Sequence, residues 1–486
     1  MVFSSIPFVF FFLPACLALY YAVPFRLKNH VILFFSLLFY AWGEPVYIFL
    51  MLFVTAVDFE AGRLMDRVKN RKTVLFLAAG TDLACLGFFK YADFTVRTVN
   101  TLAAAAAGAG APVFPLPGIS LPIGISFFTF QSMSYTIDRY RGDVEEEKNY
   151  LTYLTYVSMF PQLIAGPIVR FRTVDEELHA RKADLSCFSE GAPRFLRGLF
   201  RKVLIANNVG AVWEQIRDLQ AAGGASPAAA WLGAVLFTLQ LYFDFSAYSD
   251  MAIGMGRMLG FHFLENFNYP LSAVSVTDFW RRWHISLSTW FRDYVYIPLG
   301  GNRRGKLLQL RNMSVVWFLT GLWHGASWNF VLWGVYYGIL LALEKFVWGK
   351  ALAKLPRILQ HCYAFFIVVF GYVIFVFEDF AALRSYLGTM FCAGTAAGSG
   401  SFVGSDFFWY AGQNAFLILT ALVLSFPVYP RLRERWERFR ERNAGKTGSA
   451  GVVFDGAAAV LYAAAFLLCT AFMVSETYNP FLYFRF

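Results

Sequence analysis

Long apolar runs recur along this chain, from "FSSIPFVFFFLPACLALYYAVPF" near its start to "VVFDGAAAVLYAAAFLLCTAFMV" near its end. Each is close to the roughly 20 residues a helix needs to cross about 30 Å of hydrocarbon. In lipid every backbone polar group must be paired within the protein, so such runs have to be helices. Composition agrees: 58% of the 486 residues are hydrophobic and 15% charged, against about 25% charge in a soluble domain. The fold class is therefore an all-α polytopic membrane protein.

Spans are expected near 5–24, 30–58, 73–92, 121–138, 150–169, 228–260, 313–345, 361–378, 408–428 and 453–475. The 30–58 run is interrupted by "WGEP" (Trp42 to Pro45) and reads as a hairpin with its tip outside. Segments 228–260 and 313–345 exceed one simple span and read as bent helices or tight pairs, for roughly 10–12 spans in all. The first run has no basic residues ahead of it and no clear cleavage site, so it reads as a retained span. Arg26 and Lys28 follow it, which puts the N-terminus outside by the positive-inside rule.

The net charge of +10 is concentrated in clusters: Arg63 to Lys72, Arg170 to Lys182, Arg194 to Lys202, Arg281 to Arg311, and Arg431 to Lys446. Topology and contact with anionic headgroups account for most of them. The sharper alternative is that some hold an anionic cosubstrate. Residues 193–213 mix apolar positions with Arg194, Arg197, Arg201 and Lys202, and read as an amphipathic helix on the cytoplasmic surface. Six scattered cysteines without a CxxC suggest neither zinc nor disulfides, and no metal site is expected. The absence of a clear internal repeat weighs against a transporter. Residues 1–486 read as a single membrane-embedded domain, with 476–486 as a C-terminal aromatic tail.

Ionisable residues within apolar runs are costly and are candidates for function. Three stretches hold most of them. In "LQLYFDFSAYSDMAIGMG", Asp244, Ser246, Tyr248, Ser249 and Asp250 read first as an interhelical hydrogen-bond knot, with a functional cluster as the alternative. In "DFWRRWHISLSTWFRDYVYIPLGGNRRG", Trp280, Trp283, His284, Leu287, Trp290 and Phe291 follow helical spacing. That puts His284 on one face with the tryptophans and leaves Arg281 and Arg282 off it, as a re-entrant or interfacial helix covered by protein. In "WFLTGLWHGASWNFVLWG", His324 is expected in mid-span beside Gly321, Gly325 and Ala326, sharing a face with Thr320 and Trp328. A lone histidine is most often a satisfied hydrogen-bonder. Cleared space around an imidazole instead suits proton transfer near neutral pH. These residues alone leave a membrane enzyme and a channel-like protein both open.

Taken together, "LPIGISFFTFQSMSYTIDRYRGDV", "FPQLIAGPIVRF", "YFDFSAYSDMAIGMGRMLGF", "NFNYPLSAVSVTDFWRRWHISLSTWFRDYVYIPLGG" and "GLWHGASWNF" resemble the membrane-bound O-acyltransferase (MBOAT) family, in its bacterial alginate O-acetyltransferase-like branch. The likeness runs from "MVFSS" and "FYAWGEP" to "NPFLYFRF". One departure is Ala247, where the family pattern has glycine. The resemblance implies a ring of tilted helices with re-entrant helices around a central tunnel, where a cytoplasmic donor cavity meets an outer funnel. It implies His324 as the catalytic histidine and His284 as a second, more variable active-site position.

The implied reaction takes acetyl from cytoplasmic acetyl-CoA and passes it across the membrane to a cell-envelope or exported polysaccharide of alginate, peptidoglycan or cellulose type. His324 would be general base, and His284 would orient the thioester carbonyl or pack. Substrate contacts are expected from Arg281, Arg282, Trp283, Trp323, Asn329, Asp244, Arg303 and Arg304. No cofactor is permanently bound. The expected partners are the bilayer, acetyl-CoA, an extracytoplasmic SGNH-type acetyltransferase and the polysaccharide, with no nucleic acid. The location is the bacterial inner membrane.

The ending "FLYFRF" then falls on the outer side, where the acceptor enters. A similar motif in the related D-alanine system sits on a separate peptide whose tyrosine carries the acyl group. Here Tyr483 is the expected carrier, docked by Phe481, Phe484, Arg485 and Phe486; an interfacial aromatic anchor is the alternative. A lipid, protein or D-alanyl acceptor, and a non-enzymatic transporter, are the competing functions.

Overall fold

The computed structural model describes residues 1–108, 113–393, 401–442, 448–475 and 482, with side chains from 440 to 455 left out. The described residues are overwhelmingly helical and contain no strand. Five helices are long and apolar enough to cross a membrane: Arg71–Ala107, Pro227–Met258, Trp328–Leu352, Arg357–Val376 and Gly456–Ser475. The pair Ser405–Gln413 and Ala415–Leu424, bent by 68°, makes a sixth if it is one span. The other expected spans fall on shorter, broken or more polar helices.

Those helices differ in what covers them. The apolar window of Pro227–Met258 is 83% buried, while that of Gly456–Ser475 is 6% buried. The first is therefore a central post held by protein on all sides, and the second presents Val460, Leu461 and Leu467 outward, as a lipid-facing helix does. The 228–260 run is one continuous helix, whereas 30–58 is a hairpin of Phe25–Gly43 and Ile48–Leu64. The Ile125–Arg141 helix is too polar to stand alone in lipid. Ser126, Thr129, Gln131, Ser132, Ser134 and Thr136 are all buried in it, with Thr136 donating to Asp58 on Ile48–Leu64.

Small residues set the tightest approaches. Residues 193–213 do not form a lone surface helix. They run through Leu185–Phe200, a short π-helical stretch at Arg201–Ala206 and Asn207–Ala221, all against the central post. A Cβ on Gly198 would stand 2.6 Å from the Ala247 carbonyl oxygen, and one on Gly191 2.4 Å from that of Gly254. A stripe of arginines next to glycines is thus a packed face rather than a headgroup-facing one. The helices Lys306–His324 and Trp328–Leu343 meet in the same way, where a Cβ on Gly334 would lie 2.4 Å from the Trp317 carbonyl oxygen.

Gly334→Ala is expected to destabilise the protein by about 1–3 kcal/mol through overpacking against backbone. Gly80→Ala, where nothing lies within 4 Å, is expected to be neutral or stabilising by up to about 1 kcal/mol, since alanine is the better helix former. Thermal unfolding in one detergent reads both, and equal Tm values for the two variants would contradict the packing.

Candidate active site

His324 is the last residue of Lys306–His324, not a mid-span residue. Gly325 leaves the helix in extended conformation and Trp328 opens the next helix, so Thr320, four residues back on the same helix, shares a face with His324 while Trp328 does not; Trp328 is exposed. The helical spacing of the sequence continues across the break, which is why it could not be seen there. The His324 ring is 5% exposed. It meets Trp323, Trp333 and Phe375 edge-on at centroid distances of 5.1, 4.8 and 5.4 Å. Neither imidazole nitrogen has a hydrogen-bond partner among the described residues. The ring borders a small cavity of about 40 Å³ with Lys90, Gly124, Ser126, Phe127 and Trp323, room for one or a few water-sized groups.

Lys90 closes this corner. Its ammonium donates to the Trp323 carbonyl and, at 3.3 Å, to Ser126 Oγ, while the Tyr91 hydroxyl donates to the Leu322 carbonyl at 2.6 Å. The last carbonyls of a helix lack intrahelical partners, so these two residues cap the end that carries His324. A lysine within the 73–92 apolar run was the sequence signal for this.

His284 also sits at a break. The spacing from Trp280 to Phe291 predicted one helical face, but the helix stops at Arg282 and restarts at Ile285. His284 itself is left-handed, with φ 45° and ψ 54°, a conformation uncommon outside glycine. The irregular segment around 266–268 bridges the break: Asn268 N–H donates to the Arg282 carbonyl at 2.9 Å, and Ile285 N–H to the Asn266 carbonyl at 3.0 Å. The His284 ring packs edge-on against Phe245 at 4.8 Å and Trp323 at 5.7 Å. The Trp323 indole therefore touches both histidines.

A cavity of about 1020 Å³ reaches Asn266 and Ile285, which adjoin His284. Three arginines line it. Arg194 is held by Asp250 at 2.9 Å and Glu265 at 2.5 Å, and Arg201 by Asp250 at 2.6 Å. Arg197 stacks over Tyr429 at 5.1 Å and makes no ion pair among the described residues. The sequence reading had these arginines on a surface helix; only their fold against the central post turns them inward.

The remaining expected site residues are dispersed. Trp283 is buried, stacked on Phe279 at 5.6 Å. Asn329 is buried and donates to the Phe375 carbonyl at 2.9 Å, beside the His324 ring's own contact. Arg281 borders a separate cavity with Glu344 and Lys345, and Arg282 pairs with Asp278 at 2.8 Å. Arg303 and Arg304 are exposed on the turn after 300. Beyond His284 the chain is anchored by Asp293: burial pushes its carboxyl up, but hydrogen bonds from Arg292 and Arg170 outweigh this and hold it below the usual carboxylate range.

Asp244 sits on the central post, paired with Lys202 at 2.7 Å. Its second oxygen accepts the backbone N–H of Leu482 at 2.9 Å, and Leu482 is 7% exposed. One residue of the C-terminal tail is thus inside the protein, one position along the post from Phe245 and its contact with His284. Phe481, Tyr483, Phe484, Arg485 and Phe486 lie outside the described residues.

Residues 144–389 match the family model for the membrane-bound O-acyltransferases, MBOAT. The chain is 39% identical to a probable alginate O-acetylase of Pseudomonas putida over the whole of both chains. It is 44% identical to a probable alginate O-acetylase of Pseudomonas syringae pv. tomato, over 81% of this chain and 76% of that one. It is also 33% identical to a peptidoglycan O-acetyltransferase of Helicobacter pylori, over 77% of each. With two histidines at helix breaks, a matching family model over half of the chain and a relative matched over its whole length, the chain belongs to the membrane-bound O-acyltransferase family, in its alginate O-acetyltransferase-like branch, and is a multi-pass membrane-bound O-acyltransferase.

Proposed function

We propose that the enzyme transfers acetyl from acetyl-CoA to a hydroxyl destined for a cell-envelope or exported polysaccharide, with His324 as general base. The observation that carries this is an enclosed imidazole on the wall of a small cavity, with neither nitrogen hydrogen-bonded among the described residues, while a large arginine-lined cavity reaches Asn266 and Ile285 beside the neighbouring His284. The relatives named as alginate and peptidoglycan O-acetylating enzymes support the substrate class.

Acetyl-CoA is strongly anionic and stays in water, while acetyl is small and neutral. The cavity lined by Arg194, Arg197 and Arg201 suits the phosphates of the donor, with the pantetheine arm leading toward His284. Basic residues favour the cytoplasmic side, which orients this cavity to the cytoplasm of the inner membrane and leaves the N-terminus outside. An acceptor hydroxyl then approaches His324 from the small cavity. His324 takes the hydroxyl proton as the oxygen attacks the thioester carbonyl. The C–O bond forms, the C–S bond breaks, and the imidazolium returns its proton to the leaving thiolate.

The acceptor in this reading is Tyr483, which hands acetyl to an extracytoplasmic SGNH-type partner. Support comes from its neighbour Leu482, seated on Asp244 within the core. A phenol, with pKa about 10 against 8.5 for a thiol, makes an ester that keeps transfer potential.

His324→Ala is expected to lower acetyl-CoA turnover by about 10²–10⁴-fold without changing the Tm. Turnover within threefold of wild type, on the order of 0.6 kcal/mol, would remove His324 from the chemistry. Arg197→Ala is expected to raise the KM for acetyl-CoA about tenfold, as loss of one charged hydrogen bond does, with kcat little changed. After incubation with acetyl-CoA, the mass of the C-terminal peptide is expected to include acetyl on Tyr483 in wild type and not in His324→Ala. An unmodified tail alongside CoA release would make the tail an anchor.

A further inference from the structure

We infer that Asn266 is a positioning residue that fixes His284 in its Nδ1-protonated form, so that His284 presents an acceptor nitrogen, not a donor, to the reacting groups. Asn266 is fully buried. Its Oδ1 lies 3.1 Å from Ser286 N, 2.9 Å from Ser286 Oγ and 3.3 Å from His284 Nδ1. A backbone N–H can only donate, so the amide atom facing Ser286 N must be the oxygen. The amide nitrogen faces the other way, 3.1 Å from Ser249 Oγ. The usual ambiguity of an asparagine flip is therefore removed by the main chain.

That assignment decides the histidine. An oxygen that accepts from Ser286 has lone pairs toward His284 Nδ1. The Ser286 hydroxyl is the other donor near Nδ1, at 3.5 Å, but it lies closer to Asn266 Oδ1, at 2.9 Å; with that hydroxyl committed to the amide, a bare Nδ1 would leave two acceptors facing each other in a buried site, which costs free energy with nothing in return. The hydrogen therefore sits on Nδ1, and in the neutral ring Nε2 is the acceptor. The backbone cooperates, because the Asn266 carbonyl takes Ile285 N–H and holds the left-handed turn that presents the ring.

The consequence for chemistry rests on the acyl-transfer reading; the tautomer does not. A group that meets Nε2 has to donate a hydrogen bond, which admits an alcohol, a phenol or a thiol. A thioester carbonyl, which only accepts, is not polarised by this nitrogen. His284 thus aligns the O–H or S–H partner of the reaction, and the carbonyl oxygen must be served by other groups.

The test is ¹⁵N NMR of the full-length protein in lipid, labelled at histidine and held above pH 7, with the His284 signals assigned by their loss in His284→Gln. The expected spectrum has a protonated Nδ1 and a bare Nε2. A protonated Nε2 in wild type would overturn the inference, whatever the activity assays give. Asn266→Asp keeps the acceptor oxygen and is expected to keep the tautomer. Asn266→Leu is expected to mix the tautomers and lower kcat by about 10–100-fold, as loss of a histidine's orienting partner does, with the KM for acetyl-CoA little changed. An Asn266→Leu protein with unchanged tautomer and unchanged kcat would equally overturn it. If that variant does not fold, the wild-type and Asn266→Asp spectra still decide.

Discussion

A helix broken inside a membrane exposes carbonyl and amide groups that lipid cannot satisfy, and this chain breaks two helices at its two site histidines. Everything around the site answers that cost. Lys90 and Tyr91 take the open carbonyls ahead of His324, and the 266–268 segment takes the Arg282 carbonyl and the Ile285 N–H that flank His284. In return each break leaves an imidazole at the end of a helix rather than within one. His324 can then face a small cavity, and His284 can be turned by a left-handed backbone that a continuous helix forbids.

The central post makes the breaks tolerable. Because Pro227–Met258 is covered by protein along most of its length, polar side chains on it are answered by neighbours rather than by lipid. Asp250 holds Arg194 and Arg201, and Asp244 holds Lys202 and the Leu482 amide. The glycine contacts with Leu185–Phe200 bring the arginines to the cavity wall. One buried helix thereby links the proposed donor cavity, the His284 ring through Phe245, and the tail.

Fold class and the two candidate histidines were legible in the sequence for good physical reasons. Apolar runs of spanning length leave no alternative to helices, and an ionisable residue within such a run is costly enough to stand out. The breaks were not legible, because apolar spacing from Trp280 to Phe291 and from Thr320 to Trp328 persists on both sides of each. The partners of the site were not legible either. Asn266 meets Ser286 across 20 residues, Lys90 meets Trp323 across 233, and Asp244 meets Leu482 across 238. Only the fold brings such pairs together. Arg281, Arg282, Arg303 and Arg304 were the expected donor contacts, yet the arginines on the large cavity are Arg194, Arg197 and Arg201, which in sequence read as the polar side of an amphipathic surface helix.

The central claim is that donor and acceptor reach the histidine pair from opposite faces. The most direct measurement uses protein reconstituted in one orientation in sealed vesicles, with acetyl-labelled acetyl-CoA supplied on the arginine-cavity face alone. The account predicts His324-dependent appearance of label on an acceptor confined to the opposite face, while CoA stays where it was added. Label found only on acceptors sharing the donor's face would contradict it.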